Sequence, residues 1–390
     1  MKTVAYYTFG DMLPTDVGNK KAMFEYFRYL VSRKEIRLIL VIIGTVSDVH
    51  MKIYEEMGAE VRIIIPHSRW NICEILNKVG SRLGIDMWRS YFSSLGYRSE
   101  FQEACSDADV ILMTYAFWNK LLPLRTLKER TIVLTHDLFF YARASLNGTN
   151  TWWKRLSVKI NKIIEISVLK RFRKIAVLAD YEQELLMKSN IPSADIIQIG
   201  MPITIPYQST VPIPFSDRKF DFLLVARGGY ANRQTVRCFI ERVAPLLPNR
   251  HLTFALVGKV SQTADTSGAP ENLEFIRLGC VSDLEPFFMQ SRIGVGVVPY
   301  GSGIKVKVVE MAMHNLPLVV TSKGEEGIPL SGDGFINIDL ASQEEVKTKL
   351  QCWLDHPEIA QQDGMETGRY VAEAFSPDNI LKNLVKEILK

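Results

Sequence analysis

The sequence predicts an α/β protein made of two Rossmann-like, doubly wound domains that face each other across a cleft. Three observations lead there. Short β-branched runs alternate with longer amphipathic ones along the chain, the pattern of βα units on parallel sheets. The runs read as strands are apolar nearly throughout, as strands covered on both faces must be. Four prolines fall within residues 201–216, where they withhold backbone donors and disfavour helix before them. That stretch divides the chain into a domain at 1–200, a linker at 201–217 and a domain at 218–375, followed by a helix at 376–390. A total of 390 residues suits two domains of this kind.

In the first domain strands are expected at 3–9, 37–43, 61–66, 110–114, 131–135, 175–179 and 196–199, and helices at 18–32, 47–57, 152–172 and 181–189. In the second, strands are expected at 221–226, 252–257, 273–278, 293–298, 318–321 and 335–338, with helices at 234–247, 305–314 and 343–356. Sheets so connected bind ligands beyond the carboxyl ends of their strands, which is why a cleft between two such edges is the expected site.

Composition narrows the possibilities. Apolar residues make up 47% and charged residues 23%, which excludes wholesale disorder. A net charge of +4 is too small for a chain built to coat nucleic acid. The five cysteines form no C-x-x-C pair, against a zinc site or disulfide framework and in keeping with a reducing compartment. The N-terminus reads as a first strand rather than an export signal, and the longest apolar run, 38–44, is far below the roughly 20 residues of a membrane span. The expected setting is cytoplasmic, with room for peripheral contact at the inner face of the cell membrane.

The most informative segment is Pro299-Tyr300-Gly301-Ser302-Gly303-Ile304-Lys305-Val306-Lys307-Val308-Val309-Glu310. A strand end passes two glycines and enters a helix, whose N-terminus favours an anion. Lys305 and Lys307 add positive charge at that mouth. Glu310 lies about a turn and a half further in, where a carboxylate can bind paired hydroxyls. Phosphate at the mouth and a diol at the acid is the geometry of a nucleotide sugar. A dinucleotide fingerprint would need a third glycine, which is missing.

Together with Pro317-Leu318-Val319 and the following 320–327, this segment resembles the donor site of the glycosyltransferase family 4-like group, whose fold is GT-B. Pro14-Thr15-Asp16-Val17-Gly18-Asn19-Lys20 looks like that group's first acceptor-side loop, and Gly228-Gly229-Tyr230-Ala231-Asn232-Arg233 like the start of its donor domain. The resemblance implies transfer of a sugar from a nucleoside-diphosphate sugar, usually with retention and without a metal or other cofactor. It implies that Glu310 binds the donor ribose, that Tyr300 and Gly301 belong to the donor loop, and that Gly303, Ile304 and Lys305 lie against the diphosphate and sugar. Arg227 and Lys259 are placed like the basic pair that neutralises the leaving diphosphate, and Val281 where backbone meets the base. The final helix would return to the first domain. One departure stands out: the first glutamate of the group's E-x7-E pair falls at Ser302, which leaves sugar identity and stereochemistry open.

Departure of a diphosphate leaves negative charge, so positive potential is the main catalytic requirement. With retention the leaving phosphate can itself deprotonate the acceptor. With inversion a carboxylate or histidine from the first domain must serve. Candidates are His136 and Asp137, at the end of the strand 131–135, and Asp16, which could equally cap the helix beginning near Gly18. Glu326, beside Glu325, lines the donor sugar or belongs to a solvated turn. The remaining histidines, 50, 67, 251, 314 and 356, show no metal-ligand spacing, and Asp107-Ala108-Asp109 sits at the amino edge of its sheet, the wrong side for a metal.

Residues 152–174 hold eight basic side chains and one acid. Leu156, Ile160, Ile163, Ile164, Val168 and Phe172 recur at helical spacing, predicting a buried face opposite a cationic one that Trp152 and Trp153 open. This composition suits an anionic membrane surface, and equally a core helix with a solvated outer side. The aromatic and basic stretch 68–101 is a second candidate. The function expected is transfer to a glycan or lipid-linked acceptor in cell-surface polysaccharide synthesis. The alternatives are a nucleotide-sugar 2-epimerase of the same fold and a non-enzymatic two-lobed binding protein.

Overall fold

The computed structural model of the chain describes residues 1–15, 18–65, 91–147, 152–204 and 213–390. Asp16, Pro206, Pro212 and most of the stretch 68–101 therefore lie outside the described residues. The chain forms two units, Met1–Thr204 with Ser376–Lys390, and Ile205–Phe375.

The first unit is built on a parallel sheet of seven strands: β1 (Lys2–Phe9), β2 (Ile36–Ile43), β3 (Glu60–Ile64), β4 (Val110–Thr114), β5 (Thr131–Leu134), β6 (Lys174–Val177) and β7 (Ile196–Gln198). Their order is β3-β2-β1-β4-β5-β6-β7, so the winding reverses between β1 and β4. β1 pairs with β2 from Lys2↔Ile36 to Phe9↔Ile43. It pairs with β4 from Val4↔Val110 to Tyr7↔Met113. Val4, Ala5, Tyr6 and Tyr7 are fully buried, as are Ile39 to Ile43 beside them, because helices cover both faces. The closing helix Pro377–Ile388 is held to this unit by Arg173 donating to Glu387 at 3.0 Å and Tyr29 donating to Asp378 at 3.1 Å.

The second unit has six parallel strands: β8 (Phe220–Val225), β9 (Leu252–Val257), β10 (Leu273–Gly279), β11 (Ser291–Gly296), β12 (Leu318–Val320) and β13 (Phe335–Asn337). The order β10-β9-β8-β11-β12-β13 reverses between β8 and β11. Phe222, Phe239 and Phe254 pack ring on ring, with centroids 4.7–6.0 Å apart. The helix Gln343–Asp355 opens with a complete capping box between Ser342 and Glu345.

The strands fall where the sequence puts them, within a residue or two at their ends. Several helices differ. Arg98–Ala104, Leu124–Arg130, Phe139–Asn147 and Pro357–Ala374 are additional to the expected set. Pro357–Ala374 carries Gly364 and Gly368, residues that weaken a helical pattern. Here they serve packing: a Cβ would meet Asn315 O at 2.1 Å from Gly364 and Ala312 O at 2.4 Å from Gly368. The helix consequently seats directly on the end of Val306–Met313, the helix of the lysine–glutamate segment.

The helix Trp152–Leu169 corrects the expected buried face. It buries Asn161, Glu165, Ile166, Val168 and Leu169, whereas Leu156, Ile160 and Ile163 are exposed. The Glu165 carboxylate accepts from Phe139 N at 3.0 Å and Phe140 N at 2.8 Å, capping the open amides of the preceding helix, Phe139–Asn147. That inward acid fixes the rotation of the helix and turns the aliphatic row outward.

Candidate functional site

Because the second sheet is parallel, all its strands end at one edge. Arg227 follows β8, Lys259 follows β9, Val281 follows β10, and the loop Tyr300–Lys305 follows β11. Arg227 and Lys259 are exposed and Val281 is half-buried. Arg233, one turn into the helix Tyr230–Arg242, donates to Gly228 O at 2.7 Å and holds the loop after β8. Gly258 donates to Gly279 O at 2.6 Å and ties the loop that carries Lys259 to the end of β10.

After β11 the chain turns through Gly301 and Gly303, at φ 127° and 71°, into the helix Val306–Met313 with Lys305 at its cap. Lys305 donates from Nζ to Gly303 O at 2.5 Å and lies 3.9 Å from a Glu326 oxygen. Its side chain is only 10% exposed, so the charge sits within the loop rather than out in solvent. The other Glu326 oxygen accepts from Lys323. Glu326 is thus a partner of two lysines.

Lys307 reaches across to Asn232 Oδ1 at 3.0 Å. Burial, helped by the neighbouring Lys305 charge, pulls its ammonium down to about 8. In the sequence Lys307 is only a charge near the helix start; its depth becomes visible only with the fold. Glu310 is half-buried on the same helix. Its carbonyl accepts from His314 Nδ1 at 2.6 Å, while His314 Nε2 meets Glu285 at 2.7 Å and the ring stacks on Phe288 at 4.2 Å. His314 is therefore a clamp on the far end of this helix.

In the first unit, Tyr115 follows β4 and His136 follows β5, both with left-handed φ values of 65° and 56°. Their rings lie 4.8 Å apart beside the reversal of strand order. Asn19, next to Gly18 at the start of Gly18–Val31, donates to Tyr115 O–H at 3.4 Å. Of the expected residues, Asn19 and His136 thereby meet at Tyr115, which sequence alone does not single out, while Gly18 and Asp137 are their neighbours in the chain. The signal for Tyr115 is its place, directly after the strand at the switch point. His136 is 6% exposed, burial lowers its pKa to about 4, and Nε2 has no hydrogen-bond partner. It is a neutral imidazole.

A second cluster escaped the sequence reading. Asp11, just after β1, accepts from His50 Nδ1 and Tyr54 O–H, each at 2.6 Å. Asp107 pairs with Arg62 at 2.7 Å and Asp109 accepts from Thr3 N at 2.8 Å, both at the opposite, amino edge. Among the described residues no group of three or more His, Cys, Asp or Glu is placed to hold a metal ion.

Residues 219–355 match the family model described as Glycosyl transferases group 1. No curated protein matches the chain. Among solved structures, HepE of Anabaena in complex with UDP is similar at a TM-score of 0.67 and 11% identity, covering 100% of this chain and 99% of that one. TarM is similar at 0.68 and 8%, covering 100% and 99%. A glycosyltransferase from Rickettsia africae is similar at 0.62 and 12%, with coverage of 100% and 99%. The two parallel sheets and their strand orders are accordingly those of the GT-B fold. The second unit is a glycosyl transferases group 1 domain, and the chain is a glycosyltransferase. Among the described residues, no helix is long and apolar enough to cross a membrane.

Proposed function

We propose that this glycosyltransferase moves a sugar from a nucleoside-diphosphate sugar to a glycan or lipid-linked acceptor in cell-surface polysaccharide synthesis, at the cytoplasmic face of the membrane. The observation that carries the reading is the helix Val306–Met313, which sets Lys305, Lys307 and Glu310 at the carboxyl edge that also bears Arg227 and Lys259. HepE holds UDP in one crystal and UDP-glucose in another, which makes uridine donors the first to test.

In this reading Glu310 binds the ribose hydroxyls and Val281 meets the base. Tyr300, Gly301, Gly303 and Ile304 border the diphosphate and sugar. As the anomeric bond breaks, charge grows on the leaving diphosphate. Arg227, Lys259, Lys305 and the positive end of the helix stabilise it, so no metal or other cofactor is called on. Ser302 leaves a hydroxyl where the donor sugar would be touched, and Glu326 holds Lys305 in place. Transfer proceeds with retention, the leaving phosphate taking the acceptor proton. The first unit receives the acceptor near Gly18, Asn19, His136 and Asp137.

Thermal denaturation with UDP, GDP, dTDP and CMP tests the donor reading directly. One nucleoside diphosphate should raise Tm, and Glu310→Ala should remove the rise. A ligand at one hundred times its Kd adds about 2.7 kcal/mol of stability, well above detection. No shift with any of them would overturn the assignment, and conversion of a sugar nucleotide without acceptor would indicate an epimerase.

A further inference from the structure

We infer that the outward face of the helix Trp152–Leu169 docks on an anionic phospholipid surface. Trp152, Leu156, Ile160 and Ile163 recur at helical spacing and form one stripe, exposed by 61%, 39%, 38% and 70%. Trp153 is 64% exposed with its ring stacked on Trp152. The helix already buries Ile166, Val168 and Leu169 on its inner side. The stripe is therefore surplus to the core, and contiguous exposed apolar surface marks an interaction site.

The charges around the stripe choose its occupant. Lys154, Arg155, Lys159 and Lys170 are all exposed on this helix or just past its end. The one acid of residues 152–174, Glu165, is 2% exposed and turned inward to the amides of Phe139 and Phe140. The outer side of this helix thus combines cations, paired indoles and aliphatics, and its one acid is turned the other way. Such a helix lies in the plane of a bilayer, rings at the headgroup level, aliphatics below them, and cations on anionic headgroups. A nucleic acid would use the cations but leave Leu156, Ile160 and Ile163 in water.

Flotation of the full chain with phosphatidylcholine vesicles, with and without phosphatidylglycerol, tests this. No nucleotide is added, so the outcome is independent of the donor reading. The wild type should float with the anionic vesicles, less so in high salt. Ile163→Glu and Trp152→Ser/Trp153→Ser should abolish flotation, and Lys159→Gln and Lys170→Gln should each weaken partitioning about fivefold. All variants should keep the wild-type Tm and its shift with nucleoside diphosphate. The inference fails if the wild type does not float, if it binds neutral vesicles equally well, or if Ile163→Glu binds unchanged. It also fails if the wild type is a dimer that Ile163→Glu makes monomeric, since a second copy would then cover the stripe.

Discussion

Lys307 and Asn232 join two helices that begin at neighbouring strand ends. Nζ of Lys307, in Val306–Met313, donates to Oδ1 of Asn232, in Tyr230–Arg242, at 3.0 Å. The bond links the loop after β11 to the loop after β8 across the point where the strand order reverses. It holds a cation in a partly buried place, where a single neutral acceptor is poor compensation for lost water.

Lys307→Met should therefore separate stability from function. The folded pKa, about 8, lies below the usual lysine value near 10.5, so folding opposes the charged form. Stability from this group is present above about pH 10.5 and is lost as pH falls through 8, leaving a cost of roughly 3 kcal/mol at neutral pH. The variant should melt higher than the wild type at pH 7 and lose the slope of Tm between pH 8 and 10.5, while its affinity for nucleoside diphosphate falls. A lower Tm at pH 7 would show that Asn232 fully compensates the charge.

His136 has the same sign at lower pH. Its folded pKa of about 4, against an ordinary value near 6.5, means that the unfolded chain takes up the proton first as pH falls. Stability present above about pH 6.5 should decline toward pH 4 by roughly 3 kcal/mol. His136→Asn, a residue that tolerates the observed φ of 56°, should flatten that decline in pH-dependent denaturant unfolding.

Gly258→Ala tests the loop that carries Lys259. At φ 94° an L side chain is strained, and its Cβ would lie 2.4 Å from Ala226 O. The backbone conformation alone costs roughly 1–2 kcal/mol. Denaturant unfolding should show at least that loss, and the shift with nucleoside diphosphate should shrink because Lys259 moves with the loop.

What the sequence made legible follows from periodicity. Strands buried on both faces read as apolar runs, so all thirteen among the described residues were placed to within a few positions. The Gly–Lys–Lys–Glu segment was legible because its residues are consecutive on one loop and helix. Tyr115 was not, since its role comes from standing beside His136, 21 positions away in the chain. Asp11 and His50 are likewise 39 positions apart and meet only when β1 and β2 pair. Apolar spacing points the wrong face of Trp152–Leu169 inward, because it cannot reveal that two amides hold Glu165 inside.

Gly364 and Gly368 carry a consequence for the chemistry several residues away. The carbonyls of Asn315 and Ala312 rest against the bare Cα atoms of those glycines, so backbone meets backbone there, with only the short Asn315 side chain beside Gly368. A long side chain in that seam could change rotamer and let the lysine-bearing helix rock; two hydrogens cannot. The helix that carries Lys307 and Glu310 and is capped by Lys305 is thus registered from behind, and a single added methyl would act as a wedge beneath it.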